Sequence, residues 1–323
     1  MCAVSSQPDK PNLIAIVGPT AVGKTAAAIR LAREVGGEVV SADSRYLYRG
    51  MDIGTAKPTE SEMAGVPHHL IDVVGPGQDF SLALYQRHAY AAIDDILRRG
   101  RVPILAGGTP LYVNAVLQGW RVPEVPPDPA YRASMEEVAR REGVEALHAR
   151  LAAVDPAAAA RIASANVRRV IRALEIFAAT GRRMTDLEGR QAPPYRTLVA
   201  GLALPREEIY AAIDRRVAEQ IASGLIEEVR RLLDAGVPPD APAMTAIGYG
   251  EVVAYLHGQV TLADAAERIR YHTHRYARHQ LTWLRRMTGV HWFDPREAEW
   301  YERLRELVRE FLAGNETDRG TSP

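Results

Sequence analysis

Gly18-Pro-Thr-Ala-Val-Gly-Lys-Thr25 carries the spacing of a phosphate-binding loop, with an apolar run before it and a helical pattern after it. Backbone N–H groups of Gly18, Pro19, Thr20, Ala21, Val22 and Gly23, less the one proline lacks, can turn inward around phosphate oxygens. The helix dipole that follows favours an anion, Lys24 adds a mobile positive charge, and Thr25 offers a hydroxyl to Mg²⁺. Such a loop binds a polyphosphate and does not by itself specify ATP. Nucleotide hydrolases of this kind usually place a strand-end aspartate on Mg²⁺. Here the buried run Val102 to Ala106 ends in Gly107-Gly108-Thr109 with no acid, while Asp43 and Asp72 close other strand candidates. That leaves a small-molecule kinase, or a transferase whose donor loses diphosphate. Asp43 can serve as a proton acceptor or metal ligand, or as the cap of a following helix.

The elements that must position these residues alternate. Leu13 to Val17, Glu38 to Ala42, His68 to Val74 and Val102 to Ala106 read as strands; Ala26 to Val35 and Leu82 to Arg99 read as helices. This predicts an α/β fold, a P-loop NTPase-like parallel sheet core with ligands at the carboxyl ends of its strands. Four prolines between Val122 and Pro129 mark a boundary, and the Ala/Arg-rich stretch beyond it is helical. Thr197 to Leu204 then supplies one more strand, and Arg206 to Phe311 is mostly helical. We therefore expect a catalytic core over 1–121 and 197–313, a helical insertion over 122–196, and a disordered tail over 314–323.

The 323 residues are 47% hydrophobic with 40 basic and 40 acidic side chains, which excludes a disordered or uniformly basic chain. No apolar run approaches the ~20 residues that span a bilayer, and no signal peptide is apparent, so a cytoplasmic location is expected. A single cysteine, Cys2, rules out an internal disulfide framework and a cysteine-based zinc site. Lysine occurs only at 10, 24 and 57, so nearly all positive charge is arginine.

Taken together, GPTAVGKT, Ser41-Ala-Asp-Ser44, Tyr48-Arg-Gly-Met-Asp-Ile-Gly-Thr-Ala-Lys-Pro58, Gly107 to Tyr112 and Gln280-Leu-Thr-Trp-Leu-Arg285 resemble the tRNA dimethylallyltransferase family of bacterial type. The resemblance runs in order from about residue 12 to 294. It implies transfer of a C5 prenyl group from dimethylallyl diphosphate to the exocyclic N6 amine of the adenosine 3′ to the anticodon, with Mg²⁺ and release of diphosphate. The partner is the anticodon stem-loop of tRNA, with no membrane, and the family precedent is a monomer. By the family's pattern Asp43 is the base, Thr20 and Thr109 lie near the reacting centre, and Arg216 reaches the diphosphate, although Arg215 is adjacent.

The same resemblance places Asp43, Ser44, Arg45 and Tyr46 against the acceptor base and its neighbours, and Arg132 against tRNA. Two basic stretches are candidates for the RNA backbone. One is Arg168-Arg169-Val170-Ile171-Arg172. The other is a helix over Ala263 to Met287, in which Arg278, His279, Gln280, Trp283 and Arg285 mix arginine with groups that stack. Spacing alone favours an amphipathic helix with its arginines in water and its aromatics in the core, and the resemblance reverses that preference. The family segment Gly248-Tyr-Gly-Glu251 more often carries a basic residue where Gly250 stands. Two competing classes predict different behaviour. A P-loop kinase would transfer phosphate from ATP without RNA, and a nucleotide-switched RNA-binding protein would keep its function without Asp43.

Overall fold

The computed structural model describes residues 10–314; Cys2 and, apart from Gly314, the tail expected over 314–323 lie outside them. Contacts divide the chain into two compact units: one comprising residues up to Ser81, Tyr85–Val113 and the chain from Pro194, the other Leu82–Leu84 with Asn114–Pro193.

The first unit is built on strands β1 (Asn12–Val17), β2 (Gly37–Ser41), β3 (His68–His69), β4 (Val102–Gly107), β7 (Arg196–Leu202) and β8 (Val290–Phe293); two short strands of the other unit, β5 (Trp120–Arg121) and β6 (Gly189–Arg190), fall between. The sheet order is β3-β2-β4-β1-β7-β8, and every pair is parallel. β1, β2 and β7 are almost wholly buried, as continuous apolar runs covered on both faces should be. β1 lies between β4 and β7: the chain first builds β2, β3 and β4 on one side of it and then crosses to add β7 and β8 on the other. That reversal opens a crevice at the carboxyl ends of the strands. The registers Val17↔Gly107, Val17↔Gly201 and Ser41↔Ala106 end these strands at one level. The loops after them therefore face one another.

Three sequence expectations change. The strand predicted over His68 to Val74 stops at His69, because Leu70 and Asp72 adopt left-handed backbone (φ 63° and 56°). Asp72 consequently does not close a strand beside the phosphate loop; its Oδ1 lies 2.6 Å from the buried Lys57 Nζ. The strand β8, inside a region read as helical, is short and has His291 and Trp292 exposed, so it lacks an apolar pattern.

The second unit packs helices Pro129–Glu142, Val144–Val154, Pro156–Arg161 and Val167–Thr180 around Leu147, Leu151, Ala158, Val170, Ile171 and Leu174. Its β5–β6 ladder pairs Trp120 with Arg190. Asp155 caps Pro156–Arg161 and also accepts the Thr185 N–H and hydroxyl. Among the described residues no helix is long and apolar enough to cross a membrane.

Candidate active site

The helix Lys24–Val35 begins with Gly23 at its N-cap and no side-chain cap, which leaves first-turn amides open to a ligand. Ala21, inside the loop, is held in left-handed backbone (φ 64°), a strained state that the surrounding structure must enforce. Lys24 Nζ donates to the Pro19 carbonyl at 2.6 Å, so the ammonium is folded back over the loop. Burial pushes this ammonium down to about 8; the Asp43 carboxylate opposes the shift and the Arg216 guanidinium adds to it.

Asp43 follows β2 at the facing strand end. Its Oδ1 accepts the Arg45 N–H at 2.8 Å, a local turn rather than the cap of a helix. Burial pushes its carboxyl above the usual carboxylate range, against the pull of the Arg45 N–H and Lys24. Thr109, after β4, accepts the Ser44 N–H on its hydroxyl at 3.0 Å, and its own N–H donates to the Ala42 carbonyl at 3.2 Å. The turn 43–46 is thereby clamped to the β4 end. Arg45 is drawn away, donating to the Pro242 carbonyl at 3.0 Å, and the Tyr46 hydroxyl donates to the Ala56 carbonyl at 2.7 Å. Arg216 Nη1 reaches 3.5 Å from Thr20 Oγ1, whereas Arg215 is exposed. The inward arginine of the pair is Arg216.

A cationic loop, a half-buried carboxylate and an inward arginine thus converge at a single crevice. This arrangement can hold a diphosphate and remove a proton from a group brought beside it.

Two family models match the chain: one described as IPP transferase over residues 46–287, and one described as isopentenyl transferase over residues 11–73. The tRNA dimethylallyltransferase of Thermomicrobium roseum is 65% identical over 308 residues, 95% of this chain and 93% of the relative. That of a Roseiflexus species is 52% identical, covering 93% and 98%. The chain belongs to the tRNA dimethylallyltransferase family. It is an enzyme, a prenyltransferase. Among solved structures, the tRNA isopentenylpyrophosphate transferase of Bacillus halodurans is 45% identical with a TM-score of 0.69, covering 94% of this chain and 96% of that one. A eukaryotic dimethylallyltransferase acting on tRNA is 25% identical with a TM-score of 0.81, covering 94% and 80%.

Not every expected RNA contact of the transferase is available. Val170 and Ile171 are 0% and 3% exposed in the core of the helical unit, so their side chains cannot meet RNA. Arg132 and Arg172 are also committed inward. Arg132 makes a two-pronged pair with the buried Glu175 (2.8 and 2.9 Å), and Arg172 bonds the same carboxylate at 2.5 Å and the Val125 carbonyl at 2.8 Å. These bonds hold the Glu175 carboxyl low, at about 2, despite its burial. Arg168 and Arg169 alone in that run are exposed.

The helix Leu262–Leu284 starts at a capping box, Thr261 with Asp264, and buries Ala265, Ile269, Ala277, Gln280 and Leu284 on one face. Arg278, His279 and Arg285 are exposed, and Trp283 is half-buried. Gln280, expected at RNA, is instead buried at 3% exposure and bonded to the protein at both ends of its carboxamide. Part of the aromatic content also serves packing: His274 stacks on Tyr210 with centroids 4.0 Å apart. Gly250 lines a shallow cleft of about 310 Å³ with Arg268 and His272. A Cβ at Gly250 would meet only the Met244 carbonyl at 3.8 Å, so the position has room for the basic residue more usual there.

Two features escaped the sequence reading. Tyr276 lies near Asp43, Thr109 and Gln280; burial, then the Asp43 charge, raises its phenol to about 12. The run Gly50 to Pro58, diagnostic of the family, turns out to be a structural anchor. The N–H groups of Asp52, Ile53 and Gly54 donate to the buried Glu228 carboxylate at 2.8–3.1 Å, and Tyr249 donates to it at 2.6 Å. Gly54 has no alternative there, since a Cβ would lie 2.5 Å from the Tyr249 ring. Lys57 is fixed by the Tyr48 carbonyl, Asp52 and Asp72. Glu228→Ala would strand four donors, each costing ~1–3 kcal/mol if left unsatisfied. We expect a loss of at least about 3 kcal/mol in urea unfolding. A loss under 1 kcal/mol would mean the anchor is dispensable.

Proposed function

We propose that this enzyme moves the dimethylallyl group of dimethylallyl diphosphate onto the exocyclic N6 of the adenosine 3′ to the anticodon, with Asp43 accepting the displaced proton. The observation that carries the proposal is the half-buried Asp43 carboxylate held opposite the phosphate loop, its pKa raised by desolvation. The N6 lone pair attacks C1 of the donor, and the C1–O bond breaks with its electron pair passing to diphosphate. One N6 proton goes to an Asp43 carboxylate oxygen.

Loop amides, Lys24 and Arg216 neutralise the charge that grows on the leaving diphosphate. Thr20, between Arg216 and Gln280, sets the mouth of the loop. Thr109 and Ser44 hold the Asp43 turn at its working position. Among the described residues no cluster of three or more histidine, cysteine or acidic side chains exists to cage a metal. The Thr25 hydroxyl, in the first turn after the loop, suits an Mg²⁺ held mainly by diphosphate oxygens and water. Such an ion would supply further charge neutralisation to the leaving group.

A base in an anticodon loop is cheaper to extrude than one in a duplex, which suits a buried acceptor site. Arg278, His279, Trp283 and Arg285 on the core, and Arg168 and Arg169 on the helical insertion, supply accessible groups for RNA phosphates and bases. The same reading has the enzyme acting as a monomer in the cytoplasm. Removing Arg168 and Arg169 together should weaken tRNA binding and flatten its logarithmic salt dependence by roughly 0.7–0.9 for each phosphate no longer neutralised. An unchanged slope, measured by filter binding across salt concentrations, would place the RNA elsewhere.

The reading is tested by incubating unmodified tRNA and Mg²⁺ with the protein and either dimethylallyl diphosphate or ATP. Nucleoside mass spectrometry should find prenyl-adenosine with the first donor only. No modified nucleoside with the diphosphate donor would reject the reading.

A further inference from the structure

Gln280 is the one residue of the Leu262–Leu284 helix whose side chain is bonded to both sides of the crevice. Its Oε1 accepts the Thr20 N–H at 2.8 Å and its Nε2 donates to the Gly108 carbonyl at 2.8 Å. The fit is tight: a Cβ on Gly108 would lie 2.6 Å from Nε2. One bond therefore fixes an amide inside the phosphate loop, and the other fixes the end of β4, one residue before Thr109. The flanking residues point the other way. Arg278 and His279 are exposed, and Ala277 is fully buried beneath them. A single turn of helix thus carries the loop's brace on one face and an exposed arginine and histidine on the other.

We propose that Gln280 is a positioning residue that couples RNA docking on this helix to the geometry of the diphosphate loop. This rests on the functional reading above. Because the Thr20 amide is committed to Gln280, the phosphate cradle is formed by the loop's other amides, and its width depends on where the helix sits. A shift of the helix when RNA binds Arg278 and His279 moves Thr20 and Gly108 together. Coupling of this kind is reciprocal: RNA must change diphosphate affinity by the same factor as diphosphate changes RNA affinity.

The test measures the dissociation constant of inorganic diphosphate, with Mg²⁺, in the absence and presence of an unmodified anticodon stem-loop. In the native enzyme the RNA should change it by about fivefold or more, the lower end of typical couplings. Gln280→Met keeps the length and loses both bonds, and Gln280→Glu keeps the acceptor for Thr20 but, ionised, loses the donor to Gly108. Both should bring the ratio to within about twofold of unity while RNA affinity alone stays within about twofold. A residue that only holds the fold together would lower thermal stability and leave the ratio intact. A native-size ratio in either folded variant overturns the proposal. So does a ratio of one in native enzyme that still transfers the prenyl group. Should neither variant fold, hydrogen exchange of the native loop amides decides: exchange at 18–22 must slow when the stem-loop binds, and no change overturns the proposal. Native protein that neither binds diphosphate nor transfers would instead remove the donor-site reading, and this coupling with it.

Discussion

Asp43→Asn should slow prenyl transfer by about a hundred- to ten-thousand-fold, the range that a positioned general base contributes. Asparagine keeps the oxygen that accepts the Arg45 N–H, so the 43–46 turn should survive and tRNA affinity should stay within a few-fold. What is lost is the ability to take the N6 proton. The pH dependence has a defined sign. Burial raises the Asp43 carboxyl above 3.8, and only the ionised form accepts a proton. The native rate therefore falls as pH drops through that raised pKa, and the variant should lose this acid limb. Single-turnover rates on pre-bound RNA, followed from pH 5 to 9, measure both effects. An Asp43→Asn rate within threefold of native would take the proton transfer away from this residue.

Lys24→Ala should reduce kcat/KM for the donor by roughly a hundred- to a thousand-fold, the scale of losing one preorganised charge partner at a site of developing charge. The lysine is half-buried and held against the Pro19 carbonyl, so its charge is only partly screened when the diphosphate arrives. Because the ammonium is lowered to about 8, the charged form dominates below that pH and is lost above it. In the free enzyme kcat/KM should fall above about pH 8, and in Lys24→Ala that alkaline limb should vanish. Bound diphosphate favours the cation, so the limb seen in kcat belongs at higher pH. Donor titrations at fixed tRNA give the split, and unchanged kcat/KM in the variant would remove the loop lysine from the reaction.

Local signals were enough to read the core. β1, the glycine-rich turn and the Lys24–Val35 helix are contiguous, and each obeys its own periodicity. Asp43 was legible because a strand's end fixes where a carboxylate points. What the sequence hid depends on partners far along the chain. Gln280 sits among arginines and aromatics and so resembles an RNA contact; only its bonds to Thr20 and Gly108, 260 and 172 residues away, show otherwise. Arg132 and Arg172 looked free until Glu175 was placed between them. Val170 and Ile171 are apolar residues at helical spacing inside a basic run, and the burial rule described them better than their neighbours did. The Gly50 to Pro58 run identifies the family through an anchor for Glu228 and a socket for Lys57, an arrangement that no local pattern encodes.

The central claim is that N6 of one adenosine, brought to Asp43, is the atom that receives the prenyl group. The most direct measurement compares two synthetic anticodon stem-loops, each incubated with enzyme, Mg²⁺ and dimethylallyl diphosphate. They differ only 3′ to the anticodon, where one carries adenosine and the other purine riboside, which lacks the exocyclic amine. Nuclease mapping and mass spectrometry should locate a single prenyl group on the adenosine and none on the purine riboside stem-loop. A prenyl group on the purine riboside stem-loop, or at another nucleoside of the first, would contradict the account.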